Sequence, residues 1–188
     1  TAGCIHRLGA RPVFVDIDPT DYNIDVSQIE RAIPPQTKAL LVVDVFGRPA
    51  RLDAIEEIAQ RHGLLIIEDS CEAIGSTYKG RKAGSYGECG HFAFYPNKQM
   101  TTGEGGAIVT NNDDLAAVAR SMRNQGRGEG GAWLAHERLG YNYRLSDINC
   151  ALGVAQLQRL DEFVAKRADV AERYNRLMAD MPAVTTPR

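Results

Sequence analysis

One lysine and one aspartate carry the chemistry this sequence offers. Phe92-Ala93-Phe94-Tyr95-Pro96-Asn97-Lys98 places an amine between an aromatic segment and the glycine-rich turn Thr101 to Gly106. A lone lysine is usually a solvated charge. A desolvated one is disfavoured as ammonium, so its amine becomes a nucleophile able to form a Schiff base with an aldehyde. The glycines let the backbone turn sharply and approach a bound group closely. Upstream, the apolar run Leu64 to Ile67 closes on two acids, Glu68 and Asp69. Alone, an acid at a strand end often serves as a helix cap or salt-bridge partner. Together with the lysine it suggests more. Pyridoxal phosphate (PLP) needs an amine to hold its aldehyde and a carboxylate to keep its ring nitrogen protonated. Lys98 and Asp69 are the candidate catalytic and cofactor-binding pair, although their spacing alone is permissive.

The surrounding pattern must bring these two groups to one place. Lys38 to Val45 and Leu64 to Glu68 read as buried strands with continuous apolar runs, as in a parallel sheet. Between them, Arg51 to His62 reads as an amphipathic helix, with Leu52, Ile55, Ile58 and Ala59 on one face and Gly63 as its stop. Alternating strand and helix predicts an α/β layer fold whose ligands gather beyond the carboxyl ends of the strands. Asp69 falls at such an end.

Further strands are expected at Val13 to Ile17, His91 to Tyr95 and Ala107 to Thr110, with Gly75 to Gly90 as loops and a turn. Asp25 to Ile33 reads as a short helix ended by Pro34-Pro35. Asp113 is expected to cap a helix to about Arg123, and Asn124 to Gly131 reads as a glycine-rich loop. Ser146 is expected to cap one long helix, 147–180, of the kind that bridges domains, with Pro182 beyond it.

Composition excludes several classes. The chain has 188 residues, 44% hydrophobic and 24% charged, with a formal net charge of −2. That is an ordinary globular mix, with no basic tract for nucleic acid and no apolar run long enough for a membrane. Cys4, Cys71, Cys89 and Cys150 form no Cys-x-x-Cys pair and no zinc-ligand spacing, so no metal is expected. They read as incidental thiols of a reducing compartment, and a cytoplasmic location is expected. The chain starts at Thr1 without an initiator Met, in what reads as the middle of a domain, and is expected to be a fragment. His6, His62, His91 and His136 are scattered and read as structural or surface residues. Trp133, Tyr141 and Tyr143 suit a sugar pocket, internal packing or a dimer contact. Arg127 and Arg144 suit a phosphate or carboxylate, and Arg144 equally an interface salt bridge.

Several segments together make the sequence recognisable. They are Gly9 to Asp18, Asn23-Ile24-Asp25, Phe46-Gly47-Arg48-Pro49-Ala50, Glu68-Asp69, Tyr78-Lys79-Gly80, Gly84-Ser85, Thr102-Gly103-Glu104-Gly105-Gly106, Gly140-Tyr141-Asn142-Tyr143-Arg144 and Asp147-Ile148. In that order they resemble the DegT/DnrJ/EryC1/StrS family of PLP-dependent sugar aminotransferases, of the aspartate-aminotransferase fold type.

The resemblance implies a three-layer α/β large domain with a mostly parallel central sheet, ending in a long interdomain helix. Residues 1–146 would be the central and later part of the PLP-binding domain, 147–180 the interdomain helix, and 181–188 the start of a small C-terminal domain. Lys98 would carry the cofactor and move the proton, and Asp69 would face the pyridine nitrogen. Glu72 stands where the family often has Gln, near the cofactor's phenolic oxygen, and an ionised carboxylate cannot donate a hydrogen bond there. Asn142 matches an asparagine that reaches the cofactor phosphate of the neighbouring subunit, which implies a homodimer with shared sites.

Ala93 departs from a serine that usually contacts the phosphate. The Gly-Thr phosphate loop and the ring-stacking aromatic would lie upstream, so the segment alone is expected to bind PLP weakly or not at all. One branch of the family replaces the lysine with histidine and dehydrates; Lys98 argues against it. The implied reaction is amino transfer from glutamate or glutamine to a keto-sugar, with a nucleotide-linked substrate expected. A cyclitol ketone is the alternative substrate, and a non-catalytic PLP-fold regulatory protein the alternative class.

Overall fold

The computed structural model describes residues 1–128 and 135–186. Helix α1 (Ala2–Arg7) leads to a segment without regular secondary structure. The strand expected at 13–17 is reduced to one isolated antiparallel bridge between Ile17 and Ile24. Its β-branched and aromatic residues suit a pleated surface, but no continuous ladder partners them among the described residues, and a strand exists only through its ladder.

Asp25 caps α2 (Val26–Ile29), its carboxylate accepting from Ser27 N–H at 3.0 Å. A 3₁₀ turn, Glu30–Ala32, continues it. Strand β1 (Ala39–Val43), helix α3 (Leu52–His62) and strand β2 (Leu65–Asp69) then form a right-sized parallel unit, in register from Ala39 opposite Leu65 to Val43 opposite Asp69. Gly63 ends α3 in the left-handed conformation that its lack of a Cβ permits (φ 62°).

Gly75 to Gly90 holds a small hairpin, β3 (Thr77–Tyr78) with β4 (Arg81–Lys82), turned through left-handed Lys79 and Gly80. Strand β5 (Cys89–Ala93) pairs parallel with β2, and β6 (Gly106–Val109) pairs antiparallel with β5. The sheet order is β1-β2-β5-β6, so the fold is mixed α/β with a mostly parallel central sheet.

The core lies where α3 meets the sheet. Ile29, Val42, Leu52, Ile55, Ile58, Ala59, Ile66 and Tyr86 are buried together. Each fully buried Leu or Ile contributes about 1.5–3 kcal/mol, which fixes which face of β2 looks inward.

Two expectations near the end need correction. Helix α4 (Asp113–Arg123) is capped by Asn112, whose side chain accepts from Leu115 N–H at 3.0 Å, and not by Asp113. The single helix expected over 147–180 is two: α5 (Asp147–Leu157), capped by Ser146 as expected, and the long α6 (Leu160–Met178). No Pro or Gly marks the break at Gln158-Arg159. Beyond it Leu160 is buried, and Leu160 and Val164 approach Gly75, a contact that fixes the new helix direction. No described helix is long and apolar enough to cross a membrane.

Candidate active site

Strand alternation sends the two acids of β2 to opposite sides. Glu68 is fully buried and turns into the 84–87 loop, where it accepts from Gly84, Tyr86 and Gly87 N–H at 2.8, 2.6 and 2.8 Å. Burial pushes its carboxyl above the ordinary range against the pull of those three donors. Glu68 is therefore structural. Asp69 faces the other way, with its backbone clamped by both neighbours. Its C=O accepts from Asp44 N–H at 3.0 Å, and the next residue, Ser70, donates its N–H to His91 C=O at 3.1 Å.

Behind it, Ser70 Oγ donates to fully buried Asp44 at 2.7 Å, and Asp44 also accepts from Ala50 N–H at 3.0 Å. Asn23, equally buried, accepts from Val45 N–H and donates to Arg48 C=O. These buried side chains lock the loops after β1 and β2, since each would cost stability if left unpaired.

The Asp69 carboxylate is charged and well supplied with donors. Its Oδ2 accepts from the Thr1 hydroxyl at 2.7 Å, and His91 Nε2 lies 3.2 Å from Oδ1. Burial raises its carboxyl, but the hydrogen bonds from His91, Thr1 and Cys71 outweigh it and hold the group well below the usual carboxylate range.

Lys98 lies in the turn after β5, its side chain 18% exposed, with Nζ 3.2 Å from Glu72 Oε1. Glu72 Oε2 accepts from Phe46 N–H at 3.0 Å, and its C=O accepts from the Gln99 amide. The helices α5 and α6 hold this turn. Asn149 donates to Thr102 C=O at 2.8 Å, Gln156 accepts from Thr101 N–H at 3.2 Å, and Arg167 donates to Lys98 C=O at 2.8 Å.

Asp69, Lys98 and Glu72 all act on one thiol. Burial first, then Asp69, pushes Cys71 up to about 12, with Glu72 raising it further and Lys98 opposing. Through its contact with Glu72, Lys98 reaches the segment three residues beyond Asp69, at the carboxyl end of β2. Lys98 also lines a cleft of about 320 Å³ with Pro96, Thr101, Gln156, Phe163 and Arg167. A larger cleft of about 600 Å³ sits at the other end of β2, beside Leu64, and holds none of these groups.

Asn142 lies apart: it is exposed and bridges Asn124 through the backbone. Arg144 bonds the Asn124 side chain, and Tyr141 stacks on Tyr143 with centroids 4.9 Å apart. Trp133 lies outside the described residues. All four cysteines are free thiols. Sequence reasoning missed Thr1 and His91 at the carboxylate, and Asn149, Gln156 and Arg167 behind the lysine.

Residues 1–188 match the DegT/DnrJ/EryC1/StrS aminotransferase family. The chain belongs to this family. It is 45% identical over 179 residues to a GDP-perosamine synthase of Caulobacter vibrioides, covering 95% of this chain and 48% of that protein. It is 41% identical over 191 residues to a pleiotropic regulatory protein of Geobacillus stearothermophilus, covering 100% of this chain and 50% of that protein. Among solved structures, Helicobacter pylori PseC, an aminotransferase involved in the biosynthesis of pseudoaminic acid, superposes with a TM-score of 0.92 at 33% identity, covering 97% of this chain and 49% of that one. The chain spans about half the length of the curated relatives it matches.

PLP is the cofactor of the DegT/DnrJ/EryC1/StrS aminotransferases, and the donor set here fits it. A largely buried carboxylate kept ionised suits a protonated ring nitrogen, and a mostly covered primary amine suits an aldehyde.

Proposed function

We propose that the protein carrying this chain is a PLP-dependent aminotransferase that converts the ketone of a nucleotide-linked sugar to an amine, with glutamate or glutamine as donor. The observation that carries the reading is the buried Asp69 carboxylate at the end of β2, with the Lys98 amine in contact with Glu72 three residues beyond it. When bound, PLP would supply an electron sink for the bond broken beside the amine.

The chain's own residues do the rest. Lys98 would hold the cofactor through its amine, and the same amine, once free, would serve as the group that moves a proton. Asp69 keeps the proton on the ring nitrogen by charge pairing, with Thr1 and His91 keeping Asp69 anionic. Glu72 would hold the lysine amine while it is free of the cofactor. Asn142, exposed and away from the pair, suits a role toward the cofactor phosphate of a second copy, which would make the active unit a homodimer.

The test is a full-length protein mixed with PLP, then with a panel of nucleotide-linked keto-sugars, inososes and both donors. A visible absorption band lost in Lys98→Ala, with amino-sugar formation seen by mass spectrometry, supports the proposal. Turnover only with inososes would favour the cyclitol reading. The relative named as a regulatory protein keeps a non-catalytic reading in play. A wild type that gives no visible band with PLP would decide for it.

A further inference from the structure

The Asp69 carboxylate meets a group that the lysine–carboxylate pair does not include. In the parallel register of β2 and β5, Asp69 stands opposite His91, and Glu68 stands opposite Gly90. Registered side chains share a sheet face. His91 therefore projects on the side of Asp69, and its Nε2 lies 3.2 Å from Oδ1. An ionised carboxylate only accepts, so Nε2 carries the proton of this contact. Cys71 N–H reaches the same oxygen at 3.4 Å, whereas among the described residues Oδ2 is hydrogen-bonded by the Thr1 hydroxyl alone.

The two oxygens are thus unequal. Oδ1 is tied to the neighbouring strand and to its own backbone. Oδ2 is bonded to a hydroxyl that can rotate and has a second lone pair to offer. The His91 side chain is 35% exposed, so it is not filling the core.

We infer that His91 is a positioning residue: its Nε2–H fixes the rotation of the Asp69 carboxylate so that Oδ2 presents a preset lone pair to the cofactor's ring nitrogen. The inference rests on the proposed role of Asp69. A carboxylate oriented before binding loses less freedom on meeting its cation, so the bond is tighter. Without His91, Oδ1 would be held by the long Cys71 N–H contact alone and the carboxylate would turn more freely.

The experiment compares wild-type full-length protein with His91→Phe, which keeps a flat ring without a donor, and His91→Gln, which keeps an N–H at similar reach. PLP dissociation constants are read from the visible band. The same titration is repeated with a carbocyclic PLP analogue in which C–H replaces the ring nitrogen. Removing a donor to a charged group predicts about tenfold weaker PLP binding in His91→Phe. His91→Gln is expected to stay within about threefold of wild type. The analogue offers nothing for Asp69 to hold, so all three proteins should bind it alike.

PLP affinity unchanged in His91→Phe would overturn the inference, as would an equal loss for PLP and the analogue, which would mean general damage to the site. The ligand atoms of Asp69, Cys71 and His91 lie within 4.8 Å of one another, a spacing that a metal ion could also use. The titrations therefore run on chelator-treated protein. A His91 effect that appears only with added zinc would also overturn the positioning role. If wild type gives no band with PLP, the parent reading of the site fails first, and that outcome is distinct from a band insensitive to His91.

Discussion

Lys98 Nζ lies 3.2 Å from Glu72 Oε1, so the amine proposed to hold the cofactor is already engaged by a carboxylate three residues beyond Asp69. The pair is partly exposed, so its value to stability is less than about 1 kcal/mol. Its weight falls on binding. A carboxylate beside the cofactor's phenolic oxygen cannot donate to it, whereas an amide can. Glu72→Gln should therefore keep the Lys98-dependent visible band and tighten PLP by about threefold to tenfold, one added hydrogen bond. Its melting temperature should stay within about 4 °C of wild type. Weaker PLP binding in Glu72→Gln would contradict this expectation.

Asp69 links the site to acid stability. Its folded carboxyl titrates below the ordinary value of 3.8, because hydrogen bonds from His91, Thr1 and Cys71 overcome the cost of burial. A depressed carboxyl stabilises the fold above the unfolded value, and that contribution fades as pH falls from there toward the folded value. The stability difference between wild type and Asp69→Asn should be level above about pH 5 and shrink below about pH 3.8. Urea midpoints at pH 7, 5 and 3 check this. A difference that widens on acidification would contradict the assigned sign.

Cys71 reports on the same charges. With its thiol pushed up to about 12, its thiolate is scarce at pH 8. Thiolate is the reactive form, so alkylation should be at least about a hundredfold slower at Cys71 than at exposed Cys150. Asp69 contributes to the rise both by hydrogen bond and by charge, so Asp69→Asn should speed labelling of Cys71 and leave Cys150 unchanged. Mass-resolved iodoacetamide kinetics measure both. Equal rates at the two cysteines would rule out the proposed environment.

The elements that sequence could read were those with a local cause. The apolar runs of β1 and β2 and the period of α3 with its Gly63 stop needed no distant partner, and Lys98 and Asp69 stood out by residue type. What escaped depends on remote contacts. The segment 13–17 has strand-like residues without a ladder, and the α5–α6 break follows from Leu160 and Val164 meeting Gly75, far back in the chain. Strand β5 begins at Cys89, two residues before the expected start. The shift hid the register that sets His91 opposite Asp69, because Gly90 reads as a strand breaker until its neighbour is known. Asn149, Gln156 and Arg167 could not be assigned to the lysine turn while α5 and α6 were one helix of unknown docking.

Gly90 also supplies a direct test of how β5 is seated. A Cβ there would lie 2.4 Å from Gly84 Cα and 2.5 Å from Gly84 O. Gly84 cannot easily retreat. It is left-handed at φ 81°, its N–H is bonded to buried Glu68 at 2.8 Å, and its own Cβ position is closed by Phe92 at 2.9 Å. Gly90→Ala must therefore push two backbones apart or break a bond of Glu68, either of which costs about 2–3 kcal/mol. For a domain of this size the melting temperature should fall by about 5–10 °C. Gly3→Ala, in α1 with nothing within 4 Å, removes a flexible helix residue and should be neutral or stabilising by up to about 1 kcal/mol. Gly90→Ala melting alongside Gly3→Ala would show that β5 does not lie this close to the 84–87 loop, and would remove the register on which the His91–Asp69 contact depends.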